Sequence, residues 1–329
     1  MGSGSYSSAA YNVESKSRGF SHKSTDELFI NTKGATINST AESLNIHARV
    51  NNTNIKEEML NVGVRESRDT EEHPHTTPIL IALDVTGSMR RTPEKMIKDQ
   101  FPKLMEKLVQ GGIEDPQLLF MAIGDHVYDS YPLQISQFES ATDKILDSLQ
   151  DFYLEGGAGG NLGESYLLAW IAAGFHTETD SFYKRGRKGY LFTLGDEPCL
   201  NEVPGRELKR FLGYQGNPEP ITAEEALQKA QEQYNVFHIH ITDANHSFSS
   251  IENKWKDLVG QNLLKCESSE VAEMIAETIR KNYIAEESIT EEVNSNDNDI
   301  DEVEISKSNT LPSSVSPFTI ESTDDVDDF

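Results

Sequence analysis

The sequence predicts an α/β fold: a doubly wound, mostly parallel sheet with helices on both faces, flanked by disordered N- and C-terminal arms. Three observations point there. From about residue 78 to residue 283, short apolar runs alternate with stretches of helical period. That alternation is the mark of a parallel sheet with crossover helices. Ile79-Leu80-Ile81-Ala82-Leu83 is an unbroken apolar run, as expected of a central strand buried on both faces. Three strands are followed at once by an acid, at Asp84, Asp125 and Asp196, and the carboxyl ends of parallel strands share one edge.

Met59 to Asp69 sets Leu60, Val62 and Val64 against Asn61, Gly63 and Arg65, the period of a short edge strand. His73-Pro74-His75 reads as an exposed linker, because Pro breaks the segment and no third metal ligand is near. Thr92-Pro93 predicts a helix start. Ile97, Phe101, Leu104, Met105 and Leu108 follow at helical spacing, and Gly111-Gly112 ends the run. Pro102 inside it predicts a kink or a restart. Leu118 to Ile123 is the second buried strand. Helices are expected over Phe138 to Phe152, Gly163 to Phe175, Thr222 to about Gln233, and Val271 to Tyr283. Strands are expected over Tyr190 to Leu194 and Val236 to Ile241, with a long connection over 199–221. In the last strand His238 and His240 alternate with apolar residues, which predicts a more polar face. Lys184-Arg185-Gly186-Arg187-Lys188 reads as a solvated basic turn on the edge opposite the carboxylates.

Three regions result. Residues 1–57 are rich in Ser, Asn, Thr and Gly and predict a disordered or partner-wrapping arm, with one short ordered piece near Glu27-Leu28-Phe29-Ile30. Residues 58–285 form the folded domain, and 286–329 an acidic disordered tail. The 36% hydrophobic content is low for one compact globule of 329 residues, in keeping with disordered flanks. Net charge is -26, and the tail supplies 14 Asp and Glu against one Lys. So acidic a chain repels phosphate backbones, which argues against a nucleic-acid partner. The same repulsion is expected to let the tail prevent premature contact with a partner. The sequence has no run of 18 apolar residues, which argues against a membrane partner and for a soluble protein. Two cysteines, Cys199 and Cys266, make neither a disulfide framework nor a zinc site. A reducing, cytoplasmic setting is the simplest reading.

The site prediction starts at Asp84-Val85-Thr86-Gly87-Ser88. Asp84, Thr86 and Ser88 offer three hard oxygen donors at alternate positions, directly after a buried strand. Hard divalent cations take such a set, with one carboxylate for charge and hydroxyls and waters for the rest. Asp125 and Asp196 would converge on the same edge, and like charges pack together at low cost only around a cation. Asp-x-Thr-x-Ser alone is weak, because these residues also cap turns. The coincidence of all three strand ends makes the metal reading stronger.

These residues also carry a resemblance. Asp84-Val85-Thr86-Gly87-Ser88 resembles the first segment of the metal-ion-dependent adhesion site of von Willebrand factor type A domains, which have a Rossmann-like fold. Val64-Arg65-Glu66-Ser67-Arg68-Asp69, Phe120 to Asp125, Gly156 to Tyr166 and Lys184 to Glu197 are similar to a bacterial and phage subgroup of that family. The resemblance covers roughly residues 60–285. It implies a protein-interaction module that binds Mg2+ or Mn2+ and recognises an acidic residue of a partner through an open metal position. It assigns Asp196 as the third-loop acid. The family's second loop has Gly-Gly-x-Thr; here Gly160 or Asn161 stands in place of the Thr. The Asn161 amide oxygen replaces the hydroxyl in this reading, with Glu164 acting through water. Two enzyme alternatives remain open. One is a nucleotide site at Gly157-x-Gly159, weakened by the misspaced third Gly. The other is a metal-assisted hydrolase with His126 or His176 as base.

Overall fold

The computed structural model describes residues 7–18, 30–31, 63–89, 92–95, 99–129, 131–150, 152–154, 163–244 and 248–296. Residues Met1–Ile284 form one compact unit and Ala285–Phe329 a second, whose described part is helical up to Asn296.

The first unit is built on a six-stranded sheet. Its strands are β1 (Thr77–Asp84), β2 (Pro116–Ile123), β3 (Leu133–Ile135), β4 (Gly189–Gly195), β5 (Tyr234–Ile241) and β6 (Leu263–Cys266). In space they run β6-β5-β4-β1-β2-β3, all parallel except β3, which is antiparallel to β2. The expected mostly parallel sheet is therefore present, with the Ile79–Leu83 run at its centre. Ile79 and Ile81 pack into one core layer, Leu80 and Ala82 into the other. A period of two buried on both faces leaves no polar position, which is why β1 reads as a continuous apolar run.

Helices α1 (Ser8–Ser17), α2 (Phe101–Gln110), α3 (Thr142–Gln150) and the stretch Val271–Tyr283 of α7 (Val271–Asn296) serve the first layer. Helices α4 (Tyr166–Phe175), α5 (Ala223–Gln233) and α6 (Phe248–Val259) serve the second. Pro102 falls in the first turn of α2, after a short helix over Thr92–Lys95. There its missing N–H is harmless, so the helix restarts rather than kinks. Thr222 caps α5 in a full capping box, accepting from Glu225 N while Glu225 reaches back to the Thr222 backbone.

Several elements differ from the sequence reading. The strand expected over Met59 to Asp69 is Arg65–Ser67, paired in parallel with Thr177–Thr179 outside the main sheet. Leu60 and Val62 lie outside the described residues. The connection 199–221 contains a helix, Gly205–Leu212, and a small ladder between Glu202–Val203 and Ile221–Thr222. Helix α1 docks through Tyr11, which is buried in the first layer, and through Arg18 to Asp147 at 2.6 Å. Ile30–Asn31 pairs with Tyr153–Leu154, next to the ordered piece expected near Ile30.

The polar clusters are corrected too. His73 is buried rather than exposed, with Nδ1 3.2 Å from Asp115 Oδ1. The basic turn is solvent-exposed at Lys184, Arg185 and Gly186, as expected, and half-buried at Arg187 and Lys188, and it is also bonded to its surroundings. Lys184 pairs with Asp180 at 2.6 Å, Arg185 with Asp69, and Lys188 donates to the Gln231 carbonyl at 2.5 Å. The Arg187 guanidinium lies 3.5 Å over the Tyr283 ring. This segment ties β4 to its neighbours. His238 and His240 are fully buried, not on a polar face. His238 stacks on Trp255 at 3.4 Å and meets Thr193 Oγ1 at 2.9 Å through Nδ1.

One histidine gives the fold a pH dependence. His176 ends α4 and faces Tyr214 at 5.8 Å. Burial, helped by the Arg65 charge, holds its pKa down at about 4 against an ordinary 6.5. As pH falls, the unfolded chain takes up the proton first, so stability is complete above pH 6.5 and declines toward pH 4. The expected loss is up to about 3 kcal/mol across that window. Urea unfolding at pH 7 and pH 4.5 of the unmutated chain and His176→Phe measures it. An equal pH slope in both would rule His176 out as a source.

Candidate metal centre

The sheet order places a topological switch point between β1 and β4. From β1 the chain moves one way to β2, and β4 pairs on the other side. Crevices at such points, beyond the carboxyl ends of the strands, are where open α/β sheets bind ligands. Register brings the acids together here. Leu83 lies opposite Leu194 and Asp84 opposite Ile123, so Asp84 and Asp196 leave the sheet side by side.

A chain of short contacts joins the motif to the third strand end. Asp84 is fully buried, and its Oδ1 accepts from Thr86 N at 2.9 Å and Thr86 Oγ1 at 2.6 Å. Thr86 Oγ1 lies 3.3 Å from Ser88 Oγ. Ser88 sits in the 3-10 turn Gly87–Met89 and donates to Asp196 Oδ1 at 2.7 Å. Four of the six predicted metal residues, Asp84, Thr86, Ser88 and Asp196, thus form one connected cluster. Asp125 is buried on the next strand end but is engaged in its own turn. Its Oδ1 accepts from Val127 N at 2.8 Å, and its N–H donates to Asp129 Oδ2 at 2.8 Å. Asn161 and the glycines 156–160 lie outside the described residues.

Two further residues border the cluster. Tyr166 opens α4, and its hydroxyl donates to Asp84 Oδ2 at 2.8 Å. Sequence reading missed it; the one available sign is a phenol heading an otherwise apolar helix, Tyr166-Leu167-Leu168-Ala169-Trp170. Glu164 is clamped between two strand-end loops. Its N–H donates to the Pro198 carbonyl at 2.9 Å, its carbonyl accepts from Leu200 N at 3.0 Å, and Ser165 N donates to the Gly124 carbonyl at 3.1 Å. The Glu164 side chain is 4% exposed, and Oε2 has no hydrogen-bond partner among the described residues.

The electrostatics follow from this crowding. Burial pushes the Asp84 carboxyl up, with Asp196 adding to the rise and the Thr86 and Tyr166 hydrogen bonds opposing it. Glu164 is pushed up by burial first, then by Asp84, Glu197, Asp125 and Asp129. Such a pocket favours either protons or a cation. Among the described residues no group of three or more His, Cys, Asp or Glu is arranged to hold a metal. The connected donors are instead two carboxylates and two hydroxyls, the hard oxygen set suited to Mg2+ or Mn2+.

The histidines weighed as bases are placed elsewhere or engaged. His126 Nδ1 lies 2.8 Å from Ser165 Oγ, and burial keeps its pKa low. His176 is at the opposite end of α4 from Tyr166. Cys199 and Cys266 are free thiols. Among the described residues no helix is long and apolar enough to cross a membrane.

No protein-family model matches the chain, and no curated protein matches it. Solved structures similar to it include von Willebrand type A domains at low identity. The vWF domain of the type V pili tip protein Mfa5 from Porphyromonas gingivalis is 11% identical, with 67% of this chain and 96% of that one covered and a TM-score of 0.41. The pilus adhesin SpaC from Lactobacillus rhamnosus GG, in its open conformation, is 10% identical at a TM-score of 0.43. That match covers 66% of this chain and only 31% of the adhesin. A conserved hypothetical protein, BatB from Bacteroides thetaiotaomicron, is 13% identical, with 62% and 98% covered and a TM-score of 0.37.

Proposed function

We propose that this chain is a protein-interaction module that binds Mg2+ or Mn2+ at Asp84, Thr86, Ser88 and Asp196 and recognises an acidic residue of a protein partner. The observation that carries the reading is the unbroken contact chain from Asp84 through Thr86 and Ser88 to Asp196, at the switch point of the sheet. Asp125 adds negative charge from the next strand end, and Asn161 is the second-loop donor of this reading. When bound, the cation supplies positive charge and an open coordination position for a partner carboxylate. The protein's part is to hold the donors in place: Tyr166 fixes the Asp84 carboxylate, and the turn Gly87–Met89 presents Ser88. Engagement of His126 by Ser165 and the remote place of His176 favour binding over hydrolysis.

The module works in a reducing, cytoplasmic setting, as the two free thiols suggest, and it falls with the bacterial and phage type A subgroup it resembles. Calorimetric titration of Mg2+ and Mn2+ into the full chain, beside Asp84→Ala, tests the site. A net charge of -26 also attracts cations diffusely, so the difference between the two proteins is the readout. One saturable site that disappears in Asp84→Ala is expected. Identical isotherms would reject the proposal.

A further inference from the structure

The six-stranded sheet ends at β6, and among the described residues no strand pairs with its outer side. The Cys266 carbonyl turns inward and accepts from Thr242 N at 2.9 Å. Backbone groups alternate sides along a strand, so the N–H and C=O of Lys265 turn to the free edge. Unpaired groups of this kind are a template for another extended segment. A groove of about 410 Å3 runs beside this edge, between β6 and α6. Phe248, Glu252 and Lys256 line it as one helix face, and Leu263 and Lys265 as one strand face. Lys256 pairs with Glu252 at 2.6 Å. Lys265 therefore leaves the groove one unit positive, in a chain of net charge -26. Its ammonium lies 5.0 Å from the centroid of the Phe248 ring, so positive charge and apolar surface are adjacent.

Charge selects the occupant. A second copy of the chain would bring two Lys265 side chains together, and two strongly acidic molecules with them, and both contacts repel. A basic segment would be repelled by Lys265. An acidic segment meets attraction here and repulsion from the chain as a whole. We infer that this edge is a docking groove for an extended acidic segment of a partner protein, which adds as a seventh strand beside β6. Side chains two apart on such a segment share one face. An apolar residue thus rests on Phe248 and Leu263 while an acid two positions along meets Lys265. This recognition needs no cation and is separate from the proposed centre at Asp84.

The probe is a short fluorescein-labelled peptide in which Leu and Glu take alternate turns at every second position, with Thr between them. Its fluorescence anisotropy is followed on titration with the full chain in chelator, so that the proposed cation centre plays no part. Saturable binding is expected, together with slowed amide hydrogen exchange over residues 263–266. Lys265 is exposed, so Lys265→Glu spares the core and is expected to weaken binding about tenfold or more. Lys103→Glu makes the same charge change on the exposed side of α2, a helix of the other layer, and is expected to leave binding within about twofold. No saturable binding overturns the inference. Equal weakening by the two variants also overturns it, since net charge alone would then govern. Binding that leaves exchange over β6 unchanged overturns it too, because the peptide would then sit elsewhere.

Discussion

Trp170→Ala is expected to lower the unfolding free energy by about 3–5 kcal/mol, the range for truncating a large buried aromatic. Trp170 is fully buried in the middle of α4, the helix that covers the second face of the sheet. Its ring meets Trp255 of α6 edge-on at 6.2 Å. Trp255 in turn stacks on His238 of β5 and meets Tyr166 edge-on at 5.3 Å. Removing the indole therefore opens a cavity beneath a network that spans two helices and a strand, and fully packed neighbours have little freedom to collapse into it. Trp170→Phe separates volume from polarity. The Trp170 Nε1–H is buried without a hydrogen-bond partner among the described residues, so Phe removes an unsatisfied donor while keeping most of the ring. Its loss should be well below that of Ala. Urea unfolding of the two variants decides: an Ala loss below about 1 kcal/mol would mean that the helix and Trp255 repack freely.

This network also explains what the sequence could and could not reveal. Strands β1, β2 and β4 are legible because burial on both faces forces a largely apolar run, which needs no knowledge of neighbours. The start of α5 is legible because Thr222 and Glu225 interact only with each other's backbone and side chain. Strand β6 is not: Leu263-Leu264-Lys265-Cys266 is half exposed at the sheet edge, so its composition carries no strong signal. Helix Gly205–Leu212 was hidden in the same way, since its buried face is only Glu207, Leu208 and Leu212. His238 and His240 misled because a strand residue that looks polar can be buried when a distant ring, here Trp255 or Phe248, covers it.

The centre divides similarly. Asp84, Thr86, Ser88 and Asp196 were readable, because a donor motif after a buried strand has a local cause. Asp125 was readable as a strand-end acid, but its hydrogen bonds to Val127 and Asp129 depend on how the following loop turns. Tyr166 takes its place from a contact with Asp84 on a separate strand end, and no spacing in the chain announces such a contact.

Gly195→Ala is the second large effect, expected at about 3–5 kcal/mol from overpacking together with a lost buried hydrogen bond. Gly195 closes β4 directly before Asp196. A Cβ placed there would lie 1.8 Å from Tyr166 Oη and 2.6 Å from Cζ. Tyr166 has nowhere to go, being fully buried with His238 at 5.2 Å and Trp255 at 5.3 Å. The ring must be driven off, which breaks its 2.8 Å hydrogen bond to Asp84 Oδ2. The glycine is thus required by the phenol, and the phenol by the acid. Tyr166→Phe isolates the second half of the effect: it deletes the hydrogen bond without the clash and should lose about 1–3 kcal/mol, leaving a buried acceptor unsatisfied. Both variants loosen Asp84, so on the proposed cation-binding reading both should weaken Mg2+ binding in the calorimetric titration, Gly195→Ala the more. Equal losses in the two would place the whole effect in the hydrogen bond. A Gly195→Ala protein that unfolds like the unmutated chain would refute the packing account and, with it, the claim that strand β4 was shaped to admit Tyr166 to the centre.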